Sequence, residues 1–418
     1  MNILLKSAKI ICPENGSLHL KKRDILIKKG IIEKISTSIE VNSNTKCIDY
    51  KNLHISLGWI DSSVSFGEPG FEERETIENG LDVAARSGFS DILLNPNTNP
   101  LPDTSSDIVF LKERAKNSTT NLHPLGCLTI NSEGKDLAEL FDMKNAGAVA
   151  YYDFKKQISN PNILKIALLY AESFDGLIFS YPQNGDIAGK GIVHEGEVST
   201  ALGLKAIPAL AEELQISRDL FILEYTGGKL HIPTISTANS VKLIANAKKR
   251  GLDVSCSVAV HNLIFTDESL KEFDTNFKVS PPLRSKSDCK ALIKGLKDGI
   301  VDFVTSDHIP IAIEEKMVEF DNAVDGSIGL ESAFGSLNHI LGLEKTISLL
   351  TKGRERFGLG QTAIKEGEKA CITLFDPDDE NVFMEKQILS NTKNSMFLGS
   401  RLKGKVYGTI NNDKLLIQ

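Results

Sequence analysis

The stretch GWIDSSVSFGEPG, Gly58 to Gly70, reads as the first strand of a barrel running into a turn. Working outward from it, seven further strand-like apolar runs follow: FSDILLNPN, NLHPLGCLTI, GAVAYYDF, DGLIFSY, KLHIPTIS, DVSCSVAV and VDFVTSDH. Helical stretches fall between them, such as ETIENGLDVAARSG, NILKIALLYAESF and ANSVKLIANAKKRG, and several end at the glycine expected of a helix C-terminus. Eight βα alternations of near-regular length predict an α/β fold, a (β/α)8 TIM barrel with its site where the strands meet their following loops. A doubly wound open sheet is the rival, but no GxGxxG-type phosphate loop marks its crevice.

The two ends of the chain read differently. DILIKKGIIEKI, Asp24 to Ile35, puts apolar runs on either side of a Lys-Lys-Gly turn and predicts a hairpin. ACITLFDPD and GKVYGTINNDKLLIQ are β-rich runs near the other end. Residues 1–56 and 366–418 are therefore expected to form one small composite β-sandwich domain, with the barrel spanning 57–365. A length of 418 residues accommodates both.

Charge and cysteine usage narrow the partners. The net charge of −7, from 48 basic and 55 acidic residues, argues against a nucleic-acid or anionic-membrane surface. No apolar run is long enough to span a bilayer, and MNILLKSAKII lacks a signal-peptide layout. The six scattered cysteines form no CxxC pair, which fits a reducing cytoplasm and speaks against a thiolate zinc site.

The strand tips collect the candidate site. They offer Ser63, Ser65 and Glu68, then Asn95 and Asn97, Asn131, Asp153, Ser180 and Tyr181, Thr234, His261, and finally Asp307 with His308. Several motifs around them resemble dihydroorotase, of the amidohydrolase superfamily. These are EPG (Glu68–Gly70), NPNTNPLPD (Asn95–Asp103), HEGEVSTALGL (His194–Leu204), DTNFKVSPPLR (Asp274–Arg284), TSDH (Thr305–His308), EEK (Glu314–Lys316) and FLGSRLKGKV (Phe397–Val406). They run in order along almost the whole chain, which makes them more specific together than any one alone.

The resemblance implies metal-assisted hydrolysis, or ring closure, of a cyclic amide, with zinc generating hydroxide and polarising the carbonyl. It also implies a ligand set of four histidines and two carboxylates. Matched position by position, the carboxylates become Asp153 and Asp307, but the strand-one histidine pair falls on Ser63 and Ser65. The strand-five ligand falls on Tyr181 or Ser180, and the strand-six ligand on Thr234. Neutral hydroxyls are poor zinc donors, and two carboxylates alone suit a hydrated ion such as magnesium. His231 stands three residues before the lost position, so strand alternation turns it to the other face. The substrate-binding arginine is replaced by Gly67, a histidine by Ile311 and an asparagine by Ser280, while Asn97 survives.

Plain structural roles are weighed against functional ones. Asp153 and Asp307 are expected to hydrogen-bond barrel-top amides rather than to act as a repurposed acid pair. His308 is expected to be a buried, satisfied histidine rather than a general base, and Asn97 a turn brace rather than a substrate contact. Lys155 and Lys156 are expected on the solvated surface. The intact HEGEVSTALGL loop suggests scaffold or interface use, or a fixed turn geometry.

The expectation is a dihydroorotase-like protein without zinc or other cofactor and without hydrolytic activity. It would be a structural or regulatory partner in pyrimidine synthesis and a homo-oligomer; by the resemblance, aspartate carbamoyltransferase is the partner to test. The alternatives are an active dihydroorotase hydrolysing dihydroorotate to carbamoyl aspartate, with zinc or an altered ion on Asp153 and Asp307, and a metal-free hydrolase using Asp307 with His308. A third is a small-molecule sensor using the barrel mouth.

Overall fold

The computed structural model describes residues 2–13 and 16–418. Eight parallel strands form the barrel: Trp59–Val64, Phe89–Leu94, Asn121–Gly126, Ala150–Tyr151, Leu177–Phe179, Lys229–Ile232, Val254–Ala259 and Phe303–Thr305. They are numbered one to eight below, and each pairs with the next in chain order. All eight strand-like runs of the sequence supply one.

Closure between strands eight and one is made largely by a side chain. The Asp61 carboxylate accepts from the Ser306 N–H at 2.8 Å and from the Thr305 hydroxyl, and the Ser65 N–H reaches the His308 carbonyl at 2.8 Å. Burial pushes the Asp61 carboxyl above its usual pKa, against the hydrogen bonds from Ser306 and Thr305. This role of Asp61 was not foreseen from the sequence.

The helices cover the barrel with their apolar faces. Ile77–Arg86 begins where the Thr76 hydroxyl accepts from the Asn79 N–H at 3.2 Å, and it buries Ile77, Leu81, Val83 and Ala84. It stops at Gly88, whose φ of +96° suits glycine and where a Cβ would sit 2.6 Å from the Trp59 ring. Two helices absent from the sequence reading, Leu330–Leu341 and Leu343–Thr351, follow strand eight. The first brings Phe334 into a stack on Trp59, ring centroids 4.8 Å apart.

Segments from both ends of the chain build a single eight-stranded sheet with its own core of Ile3, Leu5, Ile25, Ile55, Ile372 and Leu374. The expected hairpin is present: Lys22–Lys28 pairs antiparallel with Ile31–Ser36 through Lys29 and Gly30, both at positive φ. Two successive positive φ values give a turn whose twist matches that of the strands. No helix among the described residues is long and apolar enough to cross a membrane.

Candidate active site

The C-terminal ends of the barrel strands bring together residues far apart in sequence, and almost all are buried. Ser63 and Ser65 lie side by side at the end of strand one, both accepting from the Asn95 amide, at 3.1 and 3.0 Å. Ser63 in turn donates to Asp307 Oδ1 at 2.9 Å. The other carboxylate oxygen, Oδ2, takes the Lys155 ammonium at 2.9 Å. Asp307 therefore does not hold backbone amides as expected. Lys155 corrects the sequence reading too: its side chain is 14% exposed and turns inward from the loop after strand four. Lys156 lies nearby and reaches the Ser132 carbonyl at 3.3 Å.

Asp153 behaves as anticipated for a loop-holding carboxylate. Its Oδ1 accepts the Leu128 and Thr129 N–H groups, both at 3.0 Å, and its Oδ2 accepts the Thr129 hydroxyl at 2.5 Å. Burial raises its pKa, and the Thr129 hydrogen bonds pull the other way.

On strand five the two candidates separate. Ser180 faces outward and donates to Asp219 on the helix Ala209–Thr226, at 2.6 Å. Tyr181 belongs to the barrel-interior cluster, and its phenol meets the Ser280 hydroxyl at 2.6 Å. Burial raises the phenol's pKa, so the pair is a neutral contact between two positions expected to bind metal and substrate.

His231 faces the barrel interior together with the region of Thr234, contrary to the alternation argument. Its Nδ1 meets Ser255 at 2.8 Å and its Nε2 meets Ser257 at 3.2 Å, while the Thr234 N–H donates to the same Ser257 hydroxyl at 3.1 Å. The reason is local: strand six ends at Ile232, and Thr234 adopts a φ of +46°, so strand periodicity does not extend that far. Burial, with Arg356 and Lys248 nearby, holds this imidazole well below its usual pKa.

His308 is a neutral structural histidine. Its Nδ1 accepts the Gly329 and Leu330 N–H groups at 3.2 and 3.4 Å, capping the helix Leu330–Leu341, and burial lowers its pKa to about 4. The Nδ1 lone pair is already engaged, while Nε2 has no hydrogen-bond partner, so the histidine is buried as expected but not fully satisfied. His261, also neutral because burial lowers its pKa to about 4, leaves its Nε2 without a hydrogen-bond partner. The Thr234 hydroxyl and the Asn97 side-chain oxygen are likewise unpartnered, and the Asn97 turn is braced through its backbone N–H to Asn95 O at 3.0 Å.

Other candidates lie elsewhere. Glu68 accepts the Ile77 N–H at 2.8 Å and pairs with Arg114, anchoring the first barrel helix. Asn131 is exposed on a left-handed turn, outside the site. Ile311 is buried in the loop after strand eight. The HEGEVSTALGL loop is held by Arg284, which donates to the Ile207 carbonyl at 3.0 Å and approaches His194 Nδ1 at 3.3 Å. At Gly67, where the resemblance implies an arginine, a Cβ would lie 1.7 Å from the Phe71 carbonyl oxygen. The turn leaves no room for a side chain at this position.

The donor set does not fit zinc. Ser63, Ser65, Tyr181 and Thr234 provide neutral hydroxyls, Asp153 accepts three hydrogen bonds from Leu128 and Thr129, and both oxygens of Asp307 are engaged. Among the described residues, no group of three or more His, Cys, Asp and Glu side chains is arranged to hold a metal ion.

Fold and residues together define an amidohydrolase-type barrel with a second sheet domain drawn from both chain ends. Solved structures of that shape match over the whole chain. They include L-hydantoinase (dihydropyrimidinase) from Arthrobacter aurescens, TM-score 0.84 at 21% identity, and dihydropyrimidinase from Brevibacillus agri NCHU1002, TM-score 0.82 at 20% identity. Each is covered over 100% of this chain and 96% or 95% of its own, and the likeness speaks for the fold alone. A family model described as Dihydro-orotase-like matches residues 54–240. The dihydroorotase of Carboxydothermus hydrogenoformans is 39% identical over 97% of this chain and 95% of its own length. That of Pelotomaculum thermopropionicum is 36% identical over 100% and 99%. The chain belongs to the dihydroorotase family.

Proposed function

We propose that this chain is a non-catalytic member of its family, a structural or regulatory subunit in pyrimidine synthesis, with aspartate carbamoyltransferase as the first partner to test. One observation carries the reading: the Asp307 carboxylate, at a position where the resemblance implies a metal ligand, is engaged by Ser63 and Lys155 inside the chain. Closure of the Gly67 turn adds to it, because a substrate carboxylate loses its bidentate partner.

A subunit role also needs a surface, and the outer helices offer one. Leu210, Leu214, Phe221 and Tyr225 are exposed on the helix Ala209–Thr226, within about 60° of arc at 100° per residue. Phe221 is 68% and Tyr225 81% exposed. Ile166, Leu169 and Tyr170 are exposed on the neighbouring helix Pro161–Glu172. Large apolar side chains grouped on one face mark association sites more often than chance exposure does.

The second reading is an active dihydroorotase, hydrolysing dihydroorotate to carbamoyl aspartate. The names of the full-length relatives favour it, whereas the donor chemistry at the barrel mouth favours the first. A dihydroorotate hydrolysis assay, run beside co-elution with aspartate carbamoyltransferase, separates the two. The first reading expects no turnover above background and a stable complex. Turnover abolished by Asp307→Asn would establish the second.

A further inference from the structure

We propose that Lys155 is a built-in cation: its ammonium compensates the Asp307 charge from within the chain, where an external ion would otherwise be needed. The inference rests on the metal-poor donor set described above, but it concerns what took the ion's place. A carboxylate whose side chain is 1% exposed is strongly disfavoured as a lone charge, so losing the ligands of a dication leaves an electrostatic debt. Lys155 meets it at 2.9 Å, and Ser63, at a lost-ligand position, engages the remaining oxygen at 2.9 Å.

Both partners sit in left-handed backbone conformations at loop positions. Lys155 has a φ of +51° and Asp307 a φ of +48°, left-handed values uncommon for non-glycine residues. The Lys155 N–H donates to the Tyr152 hydroxyl at 3.2 Å, and its ammonium lies 5.4 Å from the centre of the Phe154 ring. The partners are 152 residues apart in the chain, so the pair also ties the loop after strand four to the loop after strand eight.

The test compares thermal melts of the full-length wild type, Lys155→Met, Lys155→Arg and Lys155→Met/Asp307→Asn, each with and without millimolar Mg²⁺ or Zn²⁺. Lys155→Met keeps the apolar stem and removes the charge. Its melting temperature is expected to fall by roughly 5 °C or more and to rise again when the metal salt is added. Lys155→Arg, which keeps the charge, and the double variant, which removes both charges, should melt near the wild type; neither they nor the wild type should respond to metal. A Lys155→Met melt within about 1 °C of the wild type would overturn the proposal, as would an equal metal response in both. If Lys155→Met does not fold, a folded double variant supports the proposal and an unfolded one refutes it. Catalytic turnover or zinc in the wild type would instead strike at the proposed function, so the two failures are distinguishable.

Discussion

The barrel carries a buried carboxylate–cation pair at each end, and the two are built differently. At the N-terminal end, Asp91 binds Arg354 at 2.5 Å through one oxygen and receives Asn121 at 3.0 Å and His123 at 2.9 Å on the other. Arg354 also reaches the Gly58 carbonyl and the Ser90 hydroxyl, tying strands one and two to the segment that leads back into the sheet domain. At the C-terminal end, Asp307 has Lys155 and Ser63, but the unpartnered atoms of Asn97, Thr234, His261 and His308 stand at the neighbouring strand tips. The lower pair is a stability device, as expected of that face of a barrel. The upper one neutralises a charge inside a frame that still has the outline of a reaction site.

The comparison predicts where the chain is fragile. Arg354→Met, which strands the Asp91 charge, should cost about 3–5 kcal/mol, read as a lower urea midpoint at unchanged m-value. A loss under about 1 kcal/mol would mean that the lower pair is not the stronger staple.

Acid titration sharpens the same point. Burial alone would raise the Asp91 pKa, but the His123 hydrogen bond and the Arg354 charge hold it well below the usual carboxylate range. A depressed folded-state pKa contributes stability that is complete above the unfolded value of about 4 and drains as pH falls below it. Asp91→Asn should therefore unfold with a shallower dependence on pH below about 4 than the wild type. An identical slope would remove Asp91 from the account.

Smaller effects are expected at the upper end. Gly67→Ala places a Cβ against the Phe71 carbonyl and should cost roughly 1–3 kcal/mol in the same denaturation assay. Thr234→Val, which removes a buried hydroxyl that has no partner, should be neutral or stabilising by up to about 1 kcal/mol. A clear loss at Thr234 would show that its hydroxyl has a structural task.

How much of this could be read in advance follows the range of the interactions. The eight strands and the Lys29–Gly30 hairpin were legible because each depends on a local run of residues or a local motif. Lys155 was not, because a lysine after a strand reads as solvated unless barrel closure is known to bring Asp307 beside it. The available signal was indirect: Asp307 ends a barrel strand, where a buried carboxylate needs a partner, and Lys155 follows another strand of the same barrel. His231 misled because period-two reasoning was carried past Ile232 into a Pro-Thr segment with positive φ. Asp61 went unnoticed because its partners, Thr305 and Ser306, lie at the opposite end of the barrel sequence.

The central claim is that Asp307 and its neighbours no longer present a zinc site. The most direct test is zinc content by elemental analysis of purified wild-type protein, incubated with excess zinc and then desalted. The account predicts well under one retained zinc per chain. One or more tightly held zinc ions per chain, lost on Asp307→Asn, would contradict it.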